Sequence, residues 1–264
     1  MNITGAPASK GCRMPRPTLA CLATTAAAAV AASWAPAPAP ALAQSVRAPV
    51  PTPAAGGSIR GTVIFEGEAP DRKPLVRDSD PYCFKAQKLS EDVIVTKGKL
   101  RDVLVRIKNG TAGKHAAPAA PVMLDQQECM YRPRVVGLIA GQKLVARNSD
   151  GTFHNVHGTL NGKLLWNKPH AEKAADLTLE AAAKPGDVID IVCDVHPWMH
   201  AYAAVQDHPH FAVTGDDGSF ELKGLPPGTY TLEAWHPKLG TQSITVKIGT
   251  GPKANVSARL AFKP

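Results

Sequence analysis

Short runs of alternating apolar and polar residues follow one another through most of the chain. In "SIRGTVIFEG" the apolar residues Ile59, Val63 and Phe65 share one face, and "DVLVRIKNG" alternates in the same way before an Asn-Gly turn. Further strand-length runs, bounded by Gly, Pro, Asn or Asp, are "QKLVARNSDG", "DVIDIVC", "FAVTGDDGSFEL", "GTYTLEAW" and "SITVKIG". This pattern predicts an all-β chain of sandwich type.

The first residues have a different pattern, which is typical of an export signal. Three basic residues precede an apolar, alanine-rich run at 19–30, and a small-x-small cleavage signal ends at Ala43. The apolar run is too short for a membrane span. We therefore expect a signal peptide at 1–43, a Pro/Ala/Gly linker at 44–58, and a periplasmic or secreted protein with no membrane span.

The charge is mild once the signal is removed. The chain has 30 Lys and Arg against 22 Asp and Glu, a formal charge of +8. Removing the three basic residues of the signal lowers the charge to about +5. The basic residues do not cluster with aromatic ones, so the sequence gives no reason to expect a nucleic-acid partner.

Three cysteines remain after the signal: Cys83, Cys129 and Cys193. An odd number in an exported protein leaves one thiol without a disulfide partner. The simplest division is a Cys83–Cys129 disulfide, favoured by an oxidising compartment, with a separate role for Cys193. The alternative is three buried free thiols.

The stretch "CDVHPWM" gathers donor atoms that suit a metal. It contains Cys193, His196 and Met199, and the parity of "DVIDIVC" points Cys193 into the sandwich at the end of a strand. One thiolate, two imidazoles and a weak thioether are the ligands of a blue copper site that carries electrons. The second imidazole is expected from His154, in "NSDGTFHNVHG".

Other interpretations of these residues fail on particular points. A c-type haem needs C-x-x-C-H, a binuclear copper centre needs two cysteines in one loop, and a closed zinc site leaves Met199 unused. A Cys–His nucleophile would have both groups on one tight loop, without an evident Asn or Asp to orient the histidine. Core packing explains a single Met or Trp in a loop better than it explains all these side chains together.

The stretch from Pro121 to Gln206 resembles the cupredoxins, the small blue copper proteins, and its ligand loop is most like that of amicyanin. The resemblance rests on "RPRVVGLIAGQKLVARNSD", on "HNVH", and on C-x-x-H-x-x-M with Pro after the histidine. It implies one copper ion, and it places His196 at the surface end of the site. The residue roles that it implies are equatorial ligands His154, Cys193 and His196, an axial ligand Met199, and Asn155 beside the thiolate.

The flanking segments resemble the carboxypeptidase regulatory-like domain, a small β-sandwich. The resemblance rests on "GTVIFEG" and on "AVTGDDGSFELKGLPPGTYTLEAWHPKLG". The expected organisation is a Greek-key cupredoxin domain at 120–206, inserted between the sandwich segments 59–119 and 207–264. Two domains in tandem is the other arrangement. Together the resemblances are similar to exported plastocyanin-like proteins labelled as methylamine utilisation proteins.

These features predict an exported blue copper protein that carries single electrons and is not an enzyme. The expected partner is a redox protein such as a periplasmic cytochrome or dehydrogenase, and the expected state is a monomer. The alternative is a surface or carbohydrate-binding-like sandwich whose metal site is structural or handles copper. Among the remaining histidines, His208 and His236 could form a second metal site, or could instead bind the backbone at strand corners.

Overall fold

The computed structural model describes residues 56–109, 111 and 115–264, which lie in one compact unit beginning at Pro49. The predicted signal peptide at 1–43 and the linker as far as residue 55 lie outside the described residues. The first strands are β1 Gly57–Phe65, β2 Val95–Thr96, β3 Lys99–Leu100, β4 Leu104–Asn109, β5 Val122–Gln127, β6 Met130–Arg132, β7 Val135–Ile139, β8 Leu144–Asn148 and β9 His154–Leu160. The later strands are β10 Lys163–His170, β11 Leu177–Leu179, β12 Val188–Val192, β13 His200–Gln206, β14 Phe211–Val213, β15 Ser219–Leu225, β16 Gly228–His236, β17 Gly240–Ile248 and β18 Asn255–Phe262.

The all-β class predicted from the alternating pattern is confirmed. Besides the strands, the described residues contain two single-turn 3₁₀ helices, Cys83–Lys85 and Gly251–Ala254. In that part of the chain no helix is long and apolar enough to cross a membrane.

Two sheets are built from the strands at the beginning and the end of the described chain. One has the order β15-β1-β3-β2, with β18 parallel to β1, and the other has the order β14-β4-β16-β17. The alternation in β16 buries Tyr230, Leu232 and Ala234 in the core between them, together with Ile59 and Val63 of β1. Because β18 pairs with β1, the first and the last strand of the described chain are neighbours.

The middle of the chain forms two further sheets around a core of their own. Their orders are β10-β9-β12-β13-β7 and β11-β8-β5-β6. The predicted parity of β12 is confirmed, because Ile189, Ile191 and Cys193 are all buried in this core. In sequence, strands β5 to β13, which build this middle pair of sheets, thus lie between the strands that build the first two sheets, called the outer pair below. The domain bounds at 59–119, 120–206 and 207–264 stay a prediction.

The two pairs of sheets meet through a small apolar cluster. Leu104, Val135 and Tyr202 belong to it, and Phe211 packs against it. At Gly137 in β7, a Cβ atom would lie 2.4 Å from the Phe211 ring, so a side chain there would push the ring away. The close approach of β7 to β14 therefore requires glycine at this position.

The histidines considered for a second metal site bind the backbone instead. His208 donates from Nε2 to the carbonyl of Ile107 at 2.7 Å, and its Nδ1 accepts the N–H of His210 at 3.1 Å. His236 accepts the N–H groups of Lys238 and Leu239 at 3.2 and 3.3 Å. Both histidines are thus already used at strand corners.

His236 should make the fold sensitive to acid. Burial, helped by the nearby charge of Arg134 and opposed by Asp92, lowers the pKa of His236 to about 4. In the unfolded chain a histidine has a pKa of about 6.5, so the unfolded state binds the proton first as the pH falls. This one group should therefore cost up to about 3 kcal/mol of unfolding free energy between about pH 6.5 and pH 4.

Replacing His236 by Asn should remove this contribution, because the Asn Oδ1 can accept the same backbone N–H groups but does not titrate. The measurement is urea unfolding of both proteins at about pH 7 and about pH 4. Wild type should lose more stability between the two conditions than the variant does. Equal losses would show that folding does not lower the pKa of His236.

Candidate metal centre

The strand register brings His154 and Cys193 to the same end of one sheet. His154 is the first residue of β9, and Cys193 directly follows β12. The two strands are antiparallel neighbours, with Val192 opposite His157, so the start of β9 lies beside the end of β12. The loop 193–199 then turns back on itself, because the N–H of Met199 donates to the carbonyl of His196 at 2.8 Å.

This turn completes a group of three buried donor atoms. Nδ1 of His154 and Nδ1 of His196 are 2.8 Å apart, and Sγ of Cys193 is 3.9 and 3.7 Å from them respectively. A point in their plane equidistant from the three atoms lies about 2.0 Å from each, close to the roughly 2.0–2.3 Å bond lengths of metals to imidazole and thiolate. The spacing of these atoms fits one metal ion.

In each imidazole, the nitrogen that points away from the other ring, Nε2, lies beside a carboxylate. Nε2 of His154 is 2.9 Å from Oδ2 of Asp150, and Nε2 of His196 is 3.0 Å from Oδ2 of Asp80. Hydrogen bonds lower the pKa of both carboxyl groups although burial opposes their ionisation. An ionised carboxylate can only accept, so Nε2 of each ring carries a proton that it donates, and Nδ1 of a neutral ring then directs its lone pair into the centre of the site.

Cys193 lies in surroundings that favour its thiolate. Burial opposes ionisation, but hydrogen bonds with His154, His196 and the backbone of Asn155, and the charge of His154, outweigh it and lower the pKa of Cys193 to about 6. In the metal-free protein a ring donates from Nδ1 to the thiolate when it carries a second proton. Oδ1 of Asn155 lies 3.3 Å from the sulfur and accepts the N–H of Asp194 at 2.7 Å. Asn155 therefore touches the sulfur from the side, and its predicted steadying of the thiolate stays a prediction.

Met199 ends the loop as a fully buried side chain in the same core as Cys193. Its role as the axial ligand stays a prediction. The structure thus brings His154, Cys193 and His196 together as one candidate metal-binding group. Met199 is three residues after His196 and packs in the same apolar core as Cys193.

A segment from far earlier in the chain covers the site. Residues 77–86, called the strap below, are linked to the turn between β5 and β6 by a disulfide between Cys83 and Cys129. The strap places Sγ of Cys83 3.6 Å from Nε2 of His196. The expectation that His196 lies at the surface is wrong, because this residue is only 3% exposed.

Two carboxylates that contact the candidate histidine ligands were missed by sequence reasoning. Asp150 lies four residues before His154 in "NSDGTFH", where it could have been suspected as a partner of the histidine. Asp80 lies 116 positions before His196 in a segment without strand periodicity, so no local signal links the two.

Known proteins resemble two parts of the chain. Residues 200–261 match the carboxypeptidase regulatory-like domain. The resemblance of the C-terminal part to this domain, expected from "GSFELKGLPPGTYTLEAW", is confirmed. The match begins at β13, a few residues before the predicted segment 207–264.

Solved structures similar to this chain include a cupredoxin, an amicyanin and a copper-containing nitrite reductase. The purple cupredoxin from Nitrosopumilus maritimus is 20% identical, with 32% of this chain and 99% of that chain covered and a TM-score of 0.27. Amicyanin from Paracoccus versutus is 18% identical, with 39% and 97% covered and a TM-score of 0.29. The copper-containing nitrite reductase from Thermus scotoductus SA-01 is 17% identical, with 38% and 25% covered and a TM-score of 0.30. No curated protein matches the chain at a significant level.

The metal-free protein should show an unusually acidic thiol. Ultraviolet absorbance of the thiolate, followed during a pH titration, should rise near pH 6 because the hydrogen bonds to Cys193 stabilise its charged form. Replacing His154 by Phe should move the step upward, since one of these hydrogen bonds is lost while burial persists. A wild-type step near the ordinary thiol pKa of about 8.5 would contradict this description of the site.

Proposed function

We propose that this protein is an exported mononuclear type 1 copper protein that carries single electrons. His154, Cys193 and His196 are the equatorial ligands, and Met199 is the axial ligand. The observation that carries the proposal is the convergence of three buried donor atoms while a carboxylate orients each imidazole from behind. When bound, copper supplies a one-electron couple between Cu(I) and Cu(II).

The donor set favours copper over zinc. Closed structural zinc sites commonly use more thiolates, whereas this site has one thiolate, two imidazoles and a buried methionine nearby. Soft sulfur ligands suit Cu(I), and imidazoles suit both oxidation states. The hydrogen bonds of Asp80 and Asp150 hold the rings in place, which would keep the reorganisation on electron transfer small.

The burial of the site supports a carrier rather than an enzyme. The side chains of Cys193 and His196 are 1% and 3% exposed, and a catalytic thiol or an open metal position must be reachable by its substrate. Electron transfer needs no such access, because no bond to the partner is formed. A non-enzymatic role is therefore part of the proposal.

The alternative is a surface sandwich, similar to carbohydrate-binding folds, with a structural or copper-handling metal site. The match of residues 200–261 to a regulatory-like domain favours it. A copper-handling protein must release its metal readily, whereas here the strap covers the ligand His196. Rapid transfer of the bound metal to a chelator would favour the alternative over electron transport.

The location and the partner belong to the same proposal. The Cys83–Cys129 disulfide supports an oxidising compartment, as expected for a periplasmic or secreted protein. The partner would be a redox protein such as a periplasmic cytochrome or dehydrogenase, which a monomer of this protein would meet transiently.

Copper loading provides the test. The protein lacking residues 1–43 should bind one Cu(II), develop an intense visible band from thiolate-to-copper charge transfer, and give a reversible one-electron wave in voltammetry. Replacing Cys193 by Ser should abolish the band, because a hydroxyl is a much harder ligand than a thiolate.

A matched pair of variants on β9 separates the ligand from its neighbour. Replacing His154 by Ala should remove the band, whereas replacing His157 by Ala should retain it, since His157 is partly exposed and bonds to Asp194 instead. A band that survives in the Cys193 or His154 variant would refute the ligand assignment. A wild-type protein that stays colourless with Cu(II) would refute the function.

A further inference from the structure

The strap approaches the metal site as a separately anchored element. The disulfide joins two residues that are 46 positions apart in sequence. Arg77 donates to the carbonyl of Ala86 at 3.1 Å and to that of Glu128 at 2.7 Å, which ties both ends of the strap to the turn between β5 and β6. Trp198 in the ligand loop donates to the carbonyl of Cys129 at 2.9 Å. The strap is thus fixed to the same turn as the ligand loop.

Asp80 is the polar residue that this anchored strap directs at the site. Its Oδ1 accepts the N–H groups of Tyr82 and Cys83 at 2.7 and 3.4 Å. Its Oδ2 accepts the hydroxyl of Thr152 at 2.8 Å and faces Nε2 of His196 at 3.0 Å. Four donors from three segments of the chain therefore hold this carboxylate in one orientation.

The bond to His196 decides which nitrogen of that ring carries the proton. Because Oδ2 accepts the proton of Nε2, Nδ1 keeps its lone pair toward the sulfur, as Asp150 arranges for His154. The other neighbour of Nε2 is the disulfide sulfur of Cys83 at 3.6 Å, a weak acceptor that cannot replace a carboxylate. Without Asp80 the ring would lose the group that selects its tautomer.

We propose that Asp80 is a positioning residue of the metal centre, which selects the Nε2–H tautomer of His196 and lowers the reduction potential of the bound copper. This inference rests on the proposed copper-binding function. A fixed negative charge one imidazole away from the metal stabilises Cu(II) more than Cu(I), because Cu(II) has the higher charge. The strap would thus tune the centre from outside the ligand loop.

The first experiment needs no copper. Nitrogen-15 NMR of the metal-free protein distinguishes the two neutral tautomers of a histidine. Wild type should show His196 protonated at Nε2, and Asp80→Ala should show a mixture or the other tautomer. The matched control is Asp78→Ala, an exposed carboxylate in the same strap, which should leave the His196 signals unchanged.

The second experiment measures the midpoint potential of the copper-loaded proteins. Asp80→Ala should raise the potential relative to wild type, while Asp78→Ala should change it much less. Asp80→Asn removes the charge with little change in shape, so it should also raise the potential, even if the Asp80→Ala variant folds poorly.

The outcomes separate this inference from the proposed function. A wild-type protein that forms no visible band with Cu(II) refutes the function, and the NMR result then still judges the orienting role of Asp80. A wild-type protein with the band, but with the potential unchanged in both Asp80 variants and the His196 tautomer unchanged in Asp80→Ala, overturns the inference. A similar shift in Asp78→Ala would also overturn it, since any carboxylate of the strap would then have the same effect.

Discussion

The centre depends on two imidazole nitrogens that face each other at 2.8 Å, each with its proton drawn to the far side of the ring by a carboxylate. Two lone pairs at this distance repel each other unless a proton or a metal ion lies between them. Cys193 adds a sulfur that readily becomes negative, which strengthens the demand for a cation. The adjacent ends of β9 and β12 bring His154 and Cys193 together, and the tight loop 193–199 brings back His196.

The protein around the site supplies what the ligand loop lacks. Loop 193–199 and the start of β9 contain the three donor atoms, but the carboxylate behind His196 comes from the strap, which precedes β2 in sequence. The middle pair of sheets is therefore not self-sufficient, because its candidate metal site is completed by a segment that connects strands of the outer pair. This dependence gives a physical reason for the disulfide, which fixes that segment where the hydrogen bond to His196 requires it.

Much of this arrangement could be predicted from the sequence, because the signals are local. Alternation identified the strands, the parity of "DVIDIVC" oriented Cys193, and the count of cysteines indicated the Cys83–Cys129 bridge. The burial of His196 and the position of Asp80 could not be predicted, since they depend on how a segment without periodicity crosses the end of the sandwich. The disulfide indicated that residue 83 lies near residue 129, but not that either lies against the ligand loop.

The central claim is that one copper ion lies between Cys193, His154 and His196. X-ray absorption at the copper edge of the loaded protein tests it most directly, because the fine structure reports which atoms surround the metal and at what distances. The account predicts one short copper–sulfur distance and two imidazole nitrogens, with the sulfur absent when Cys193 is replaced by Ser. A first shell of nitrogen and oxygen atoms alone in the wild-type protein would contradict it.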